Sequence, residues 1–116
     1  MSSEATGTHG TDEICAVLIT APDEQTALAL ARALVEARLA ACVNLVPGVR
    51  SVYRWQGVVQ DDGEILMIAK TRRARLVELQ RRVHELHPYD VPEVIALPVG
   101  GGSEAYLGWI VSETPA

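Results

Sequence analysis

Two histidines near the end of a predicted helix are the side chains in this sequence best suited to hold a metal ion. His84 and His87 are three residues apart, so one helix face brings both rings together. Imidazole binds Cu(II) and Zn(II) at neutral pH, because its ordinary pKa of about 6.5 leaves it mostly unprotonated. We expect His87 to be partly exposed, since it follows the helix and precedes Pro88. The pair predicts a weak site, and a cap of the helix C-terminus is the simpler alternative for His87.

Lys70 is the sole lysine in the chain and ends a strongly apolar segment. A lysine in that position needs either solvent or an acidic partner, and we expect the partner to be Glu93 on the last predicted strand. A buried pair of this kind could shape a pocket for an anion or small ligand between subunits. A structural salt bridge at a subunit seam is the simpler interpretation.

The five aromatic residues lie near the predicted ends of helices and strands, and the chain has no Phe. Tyrosine and tryptophan rings can line a cleft with their polar tips in water. They also serve commonly as anchors of protein interfaces. Both roles stay open for Tyr53, Trp55, Tyr89, Tyr106 and Trp109.

The two cysteines, Cys15 and Cys42, predict free thiols and not a disulfide. Cys42 is a possible thiol ligand, but it opens an apolar segment, where a free cysteine usually packs as a small hydrophobe. The polar residues 1–12 predict a disordered tail and lack the apolar stretch of a signal peptide. We therefore expect a cytoplasmic protein whose single domain occupies residues 13–116.

Charge and motifs exclude several classes of function. A net charge of −5 and a pI near 5.1 disfavour nucleic-acid partners, which select basic surfaces. No apolar run approaches the roughly 20 residues that span a bilayer, so we expect no membrane partner. The loop after the first predicted strand is acidic and repels phosphate, and no nucleophile–base spacing is present. We expect no enzymatic activity.

Periodicity predicts the elements that position these side chains. Continuous apolar runs predict strands, the spacing of leucines and alanines predicts two longer helices, and Ser103 is a good N-cap for a third. Pro47-Gly48 interrupts the second strand, which implies an edge position or a bulge there. Gln56-Gly57 is favoured over Asp62-Gly63 as the hairpin turn. The predicted strands are 14–20, 42–46 with 49–55, 65–69 and 93–99; the helices begin near 22, 72 and 103.

The order β-α-β-β-α-β-α predicts an α+β fold, a ferredoxin-like βαββαβ sandwich with an antiparallel sheet and an extra C-terminal helix. Residues alternate between the faces of a strand, so the run 65–69 must make both faces of this sheet apolar. The short last helix cannot cover a whole face. We therefore expect the chain to associate with copies of itself.

Five segments, in matching order and spacing, resemble the CutA divalent-cation tolerance family. They are TAPDE at 20–24, AACVNL at 40–45 before Pro47-Gly48, SVYRWQG at 51–57, Lys70-Thr71, and HPYDVPE at 87–93. The YLGW ending at 106–109 is similar too. The resemblance implies a homotrimer whose strands pair across subunits, an architecture like that of PII proteins, and a role in tolerance of divalent cations, copper especially.

Two positions depart from the family pattern. Ile19 stands where some members carry a cysteine, and Leu86 stands where some carry a second histidine before the Pro-Tyr pair. Both substitutions remove potential copper ligands. The leading interpretation is a trimeric, non-enzymatic protein of the copper or divalent-cation response that binds metal weakly, with no obligatory cofactor. The alternative is a PII-like small-ligand-binding or signalling module with clefts between subunits.

Overall fold

Four strands and three α-helices follow one another in the computed structural model, which describes residues 13–115. The predicted disordered tail, residues 1–12, lies outside that range. The elements are β1 (Ile14–Ala21), α1 (Glu24–Glu36), β2 (Cys42–Trp55), β3 (Val58–Arg72), a 3-10 turn (Arg73–Arg75), α2 (Leu76–Leu86), β4 (Val94–Pro98) and α3 (Glu104–Glu113).

The strands form one sheet in the order β2-β3-β1-β4, and every neighbouring pair is antiparallel. β1 lies in the interior, where Val17 faces Ala69 of β3 on one side and Ala96 of β4 on the other. This topology confirms the predicted α+β, ferredoxin-like fold with its additional C-terminal helix.

The main core lies between the sheet and helices α1 and α2. Asp23 begins α1 as its N-cap, since its carboxylate accepts a 2.7 Å hydrogen bond from the Thr26 N–H. Helical spacing then turns one apolar face of α1 toward the sheet. The fully buried core side chains include Val17, Ile19, Leu30, Leu34, Met67, Leu79 and Val83.

Strands β2 and β3 form a long hairpin. The Pro47-Gly48 pair lies on the edge strand β2, in a bulge between Val46 and Val49 where Gly48 adopts a φ of +79°, as predicted. Gln56 and Gly57 form the predicted two-residue turn with φ values of 51° and 82°. The rival turn at Asp62-Gly63 lies within β3.

The outer half of this hairpin extends past the rest of the sheet. Strand β1 pairs with β3 only as far as Ile65, so residues 49–64 have no third strand beside them in the described structure. The molecule is correspondingly elongated, with extents of 53 × 25 × 23 Å. The hairpin therefore stands out from the body of the domain.

The second face of the sheet is apolar, as predicted. Helix α3 covers one end of it, where Ile110 packs with Ile14 and Ala41. The Arg72 side chain donates hydrogen bonds of 2.8 and 2.6 Å to the Thr114 carbonyl and so stabilises the end of α3. Ile95 and Leu97 of β4 remain about half exposed on the same face, so α3 leaves part of it uncovered.

Candidate functional site

The His87 ring is buried at the end of α2, against the end of β1. His87 is only 7% exposed to solvent, so the expectation that it is partly exposed is wrong. The Tyr89 N–H donates to Nδ1 over 3.1 Å, which leaves Nε2 as the protonated nitrogen that donates to the Thr20 carbonyl over 2.7 Å. Both ring nitrogens are occupied by backbone groups, so a metal ion can bind the ring only after one bond breaks.

His84 lies on the exposed face of α2, where Nδ1 contacts the Gln80 carbonyl at 3.2 Å. The two histidines are therefore held by separate backbone groups, one in solvent and one in the interior. Among residues 13–115, no three His, Cys, Asp or Glu side chains are grouped closely enough to hold a metal ion together.

A cleft of about 710 Å³ opens beside His87, between the projecting hairpin and the segment that follows α2. This volume is in the range of small-molecule sites. Four parts of the chain line it: the end of β1, the outer part of β2, the middle of β3 and the loop before β4. The lining residues are Thr20, Arg50, Ser51, Val52, Tyr53, Trp55, Glu64, Tyr89, Asp90, Val91 and Glu93.

Two glutamates form the polar centre of the cleft. Glu64 is only 8% exposed, and its carboxylate accepts a 2.9 Å hydrogen bond from the Tyr89 hydroxyl. Burial and the nearby Glu64 carboxylate raise the pKa of Glu93 above its ordinary value. Burial and the bond to Glu64 likewise raise the pKa of Tyr89, which keeps its hydroxyl a donor at neutral pH.

Three of the five aromatic residues lie at this cleft: Tyr53, Trp55 and Tyr89. The Tyr53 hydroxyl donates a 2.6 Å hydrogen bond to Asp62 across the hairpin. The Tyr89 ring packs on the His87 ring, with centroids 4.6 Å apart, so the buried histidine supports one wall. The structure thus brings four predicted residues, the three aromatics and Glu93, to one place.

The other predicted residues form a separate group at the far end of the sheet. Lys70 Nζ donates to Asn44 Oδ1 over 2.5 Å and lies 5.7 Å from the centre of the Tyr106 ring. Tyr106 and Trp109 pack together with ring centres 5.5 Å apart. Cys42 is directly opposite Lys70 in the sheet and half-buried, while Cys15 is buried, and both are free thiols.

The expected pairing of Lys70 with Glu93 does not occur within this chain. Lys70 faces Ala16 on β1, whereas Glu93 immediately precedes Val94, which faces Ile19. Because β4 pairs with β1 and not with β3, the two charged residues are separated along the strands as well as across the sheet. Asn44 takes the place expected for Glu93.

Six polar residues of these two groups were not predicted as site residues: Thr20, Asn44, Arg50, Ser51, Glu64 and Asp90. Thr20 contributes its backbone carbonyl, a group that every residue has, so its residue type could not point to this contact. Glu64 offered a usable signal, because a carboxylate that directly precedes the apolar run 65–69 is close to the sheet interior. Within residues 13–115, no helix has the length and apolar character needed to cross a membrane.

Comparison with known proteins shows which family the chain belongs to. The family model of the CutA1 divalent ion tolerance protein matches residues 15–113. The divalent-cation tolerance protein CutA of Thermus thermophilus is 53% identical over 98 residues, which cover 84% of this chain and 95% of that relative. The crystal structure of CutA1 from Oryza sativa has a TM-score of 0.87 at 46% identity and covers 91% of this chain and 97% of that one.

A chloroplastic CutA protein of Arabidopsis thaliana is 51% identical over 98 residues, or 84% of this chain. The chain spans only 54% of that relative's length. The match therefore extends over the common domain and not over the additional segments of the longer plant protein. Given a family model that matches nearly the whole folded part, the chain belongs to the CutA1 divalent ion tolerance protein family.

Proposed function

We propose that this chain acts in divalent-cation tolerance, as a non-enzymatic homotrimer that binds copper or another divalent cation weakly. The names of its bacterial relatives support the tolerance role. The observation that carries the proposed assembly is the hairpin that projects without a third strand and exposes several apolar side chains. A cytoplasmic location stays a prediction from its free cysteines.

The exposed side chains of the hairpin are unusual for a surface that meets only water. Val52, Val58 and Val59 are 67%, 58% and 57% exposed, and Trp55 is 45% exposed. Strand β4, at the opposite edge of the sheet, exposes Ile95 and Leu97. Open sheet edges with exposed apolar side chains favour pairing with further strands. The hairpin and the β4 edge could therefore both form contacts between copies of the chain.

The proposed copper contact involves His84 and His87. His84 is the more accessible of the two, because its ring lies in solvent with a single contact to Gln80. His87 joins only if it releases Thr20 or the Tyr89 N–H, which costs a buried hydrogen bond. This cost, and the lack of a third ligand among the residues that the structure describes, support weak binding.

Calorimetric titration of tag-free protein with Cu(II) and Zn(II) tests the contact. All the titrated proteins carry His9→Ala, because His9 lies outside the described residues and its imidazole would compete with His84 and His87 for the metal ion. We expect weak Cu(II) binding that His84→Ala reduces more than His87→Ala does. Binding that neither substitution changes would remove the histidines from the proposed role.

A small-ligand-binding module is the second candidate function. The observation that favours it is the cleft of about 710 Å³, with its buried glutamate and three aromatic walls. Concave sites with a few polar groups at their centre are the usual form of a small-molecule site. This function is compatible with the first, because the cleft is distinct from the exposed ring of His84.

A further inference from the structure

One face of the sheet carries an acidic and a basic side chain at opposite ends. Glu64 and Lys70 both lie on β3, six residues apart, and alternation along the strand turns them to the face away from α1 and α2. At about 3.3 Å per residue, roughly 20 Å separates the two residues along the strand, so they cannot pair within one chain. Each of them needs an opposite charge from another source.

The Glu64 carboxylate has no cationic partner in the part of the chain that the structure describes. Glu64 is only 8% exposed, and its carboxylate accepts a 2.9 Å hydrogen bond from the neutral Tyr89 hydroxyl. Arg50 also lines the cleft, but its Nε already contacts Asp61 at 2.6 Å. A carboxylate that is buried without an opposite charge is destabilising, so a cation from outside the chain would stabilise Glu64.

Lys70 likewise has no carboxylate partner among residues 13–115. Its Nζ donates to the neutral Asn44 Oδ1 over 2.5 Å and lies 5.7 Å from the centre of the Tyr106 ring. An ammonium group has three donors, and Asn44 accepts from one of them. Lys70 is half-buried, so its flexible side chain can reach a further acceptor on another copy.

The surface between these two charges is apolar. Leu66 and Ile68 lie between them on β3, and Ile95 and Leu97 lie on the same face of β4, where they are 50% and 45% exposed. A face with an acid at one end, a base at the other and an apolar middle is complementary to a second copy of itself. The acidic end of one copy suits the basic end of the next, in a head-to-tail contact that can close into a ring.

From these observations we propose that Lys70 of the partner subunit enters the cleft and pairs with the Glu64 carboxylate, so that a second copy completes each cleft. The same contact covers Tyr53 and Trp55, which line the cleft and lie on the projecting hairpin. The inference rests on the proposed assembly and names the charged pair that links its copies.

Other charged residues fit the pair less well. Of the remaining basic residues in the strands, Arg50 and Arg72 already contact carboxylates of their own chain. Arg54 lies next to the hairpin turn, where it contacts a backbone carbonyl. On the acidic side, Glu93 is more exposed than Glu64, so water can hydrate its charge.

Analytical ultracentrifugation tests the pair, in urea chosen so that the natural chain dissociates within the measurable range of protein concentration. We expect Lys70→Met to raise the dissociation concentration by at least about a hundredfold, because it leaves Glu64 buried without a cation. Lys70→Arg keeps the charge and should retain most of the assembly. Arg32→Met and Glu36→Gln each remove one charge from an exposed position of α1 and should dissociate as the natural chain does.

The double variant of Lys70→Met and Glu64→Gln separates a direct pair from two independent losses. If the side chains pair across copies, the double variant dissociates at about the same concentration as Glu64→Gln alone, whereas independent losses add. If Glu64→Gln does not fold by circular dichroism, the comparison of Lys70→Met with Lys70→Arg decides the result.

A trimeric natural chain whose Lys70→Met variant assembles equally well, or losses that add in the double variant, would overturn the inference and leave the proposed trimer standing. A monomeric natural chain would contradict the trimer itself, and the inference with it.

Discussion

Glu93 is the residue whose environment has the most direct consequence for stability. Burial and the Glu64 carboxylate raise its pKa above the ordinary 4.5, so folding disfavours its ionised form. Below pH 4.5 the carboxyl is protonated in both the folded and the unfolded chain, and the destabilising effect is absent. It appears as the pH rises through the folded-state pKa and persists at neutral pH.

We therefore expect Glu93→Gln to raise the thermal unfolding midpoint at pH 7, with a gain that shrinks as the pH falls toward the ordinary glutamate range. Scanning calorimetry of the variant and the natural chain across that pH series measures the effect. Glu36→Gln, at an exposed position of α1, is the control for the change of side chain and charge outside the cleft. A Glu93→Gln variant less stable than the natural chain at pH 7 would show that the carboxylate has a cationic partner.

Single residues were also where sequence reasoning was least informative. The type and spacing of His87 suggested a metal ligand, but its role depends on a backbone carbonyl 67 residues away in the chain. The partner of Lys70 depended on which strand lies beside β3 at that point, and the outer strand β2 supplies Asn44 there. Such contacts follow from tertiary packing, which local spacing does not specify.

At the scale of elements, the hairpin turn is set by two residues with positive φ. Gly57 has a φ of 82°, a conformation that costs a residue with a Cβ about 1–2 kcal/mol. Gly63 lies in the same hairpin, and an added Cβ at either glycine meets open space, so steric contact does not distinguish them. Alanine substitutions at Gly57 and Gly63 therefore differ in the backbone conformation that they require and not in steric contact.

We expect Gly57→Ala to destabilise the chain by about 1 kcal/mol, while Gly63→Ala is neutral or slightly stabilising. Urea unfolding followed by circular dichroism measures both. Equal losses from the two substitutions would mean that the turn is not held in the left-handed conformation. Gly63→Ala also controls for the general effect that replacing a glycine by alanine has on this hairpin.

The elements themselves could largely be predicted from the sequence. The apolar run at 65–69, the helical spacing of Leu30 and Leu34, and the turn at Gln56-Gly57 are local signals, and each appears where expected. The irregularity at Pro47-Gly48 was also predicted, because a proline within a sheet implies an edge position or a bulge. Here the flexible backbone of Gly48 absorbs it, and β2 continues to Trp55.

At the scale of the whole molecule, the projecting hairpin is exposed on both faces and lacks a neighbouring strand in the described chain. Trp55 stands near its tip and contributes a large apolar surface. His87, by contrast, is enclosed within one chain. We therefore expect contacts between copies to depend on Trp55 much more than on His87.

We expect Trp55→Ala to weaken assembly more than His87→Ala does, measured as the protein concentration at which each variant dissociates in analytical ultracentrifugation. Trp109→Ala is a useful comparison, because Trp109 has nearly the same exposure as Trp55 and lies on α3, away from the hairpin. Normal assembly of both the Trp55 and the His87 variants would show that the hairpin tryptophan is not an interface anchor.

The mass of the natural chain in dilute solution, measured by size-exclusion chromatography with light scattering, tests the proposed homotrimer most directly. The chain mass is 12.5 kDa, so a trimer has a mass near 37.5 kDa. We predict that value, maintained on dilution, because in the proposed trimer other copies would cover the exposed apolar side chains of the hairpin and the open β4 edge. A stable monomer near 12.5 kDa would contradict the proposal and leave the exposed hairpin without a partner.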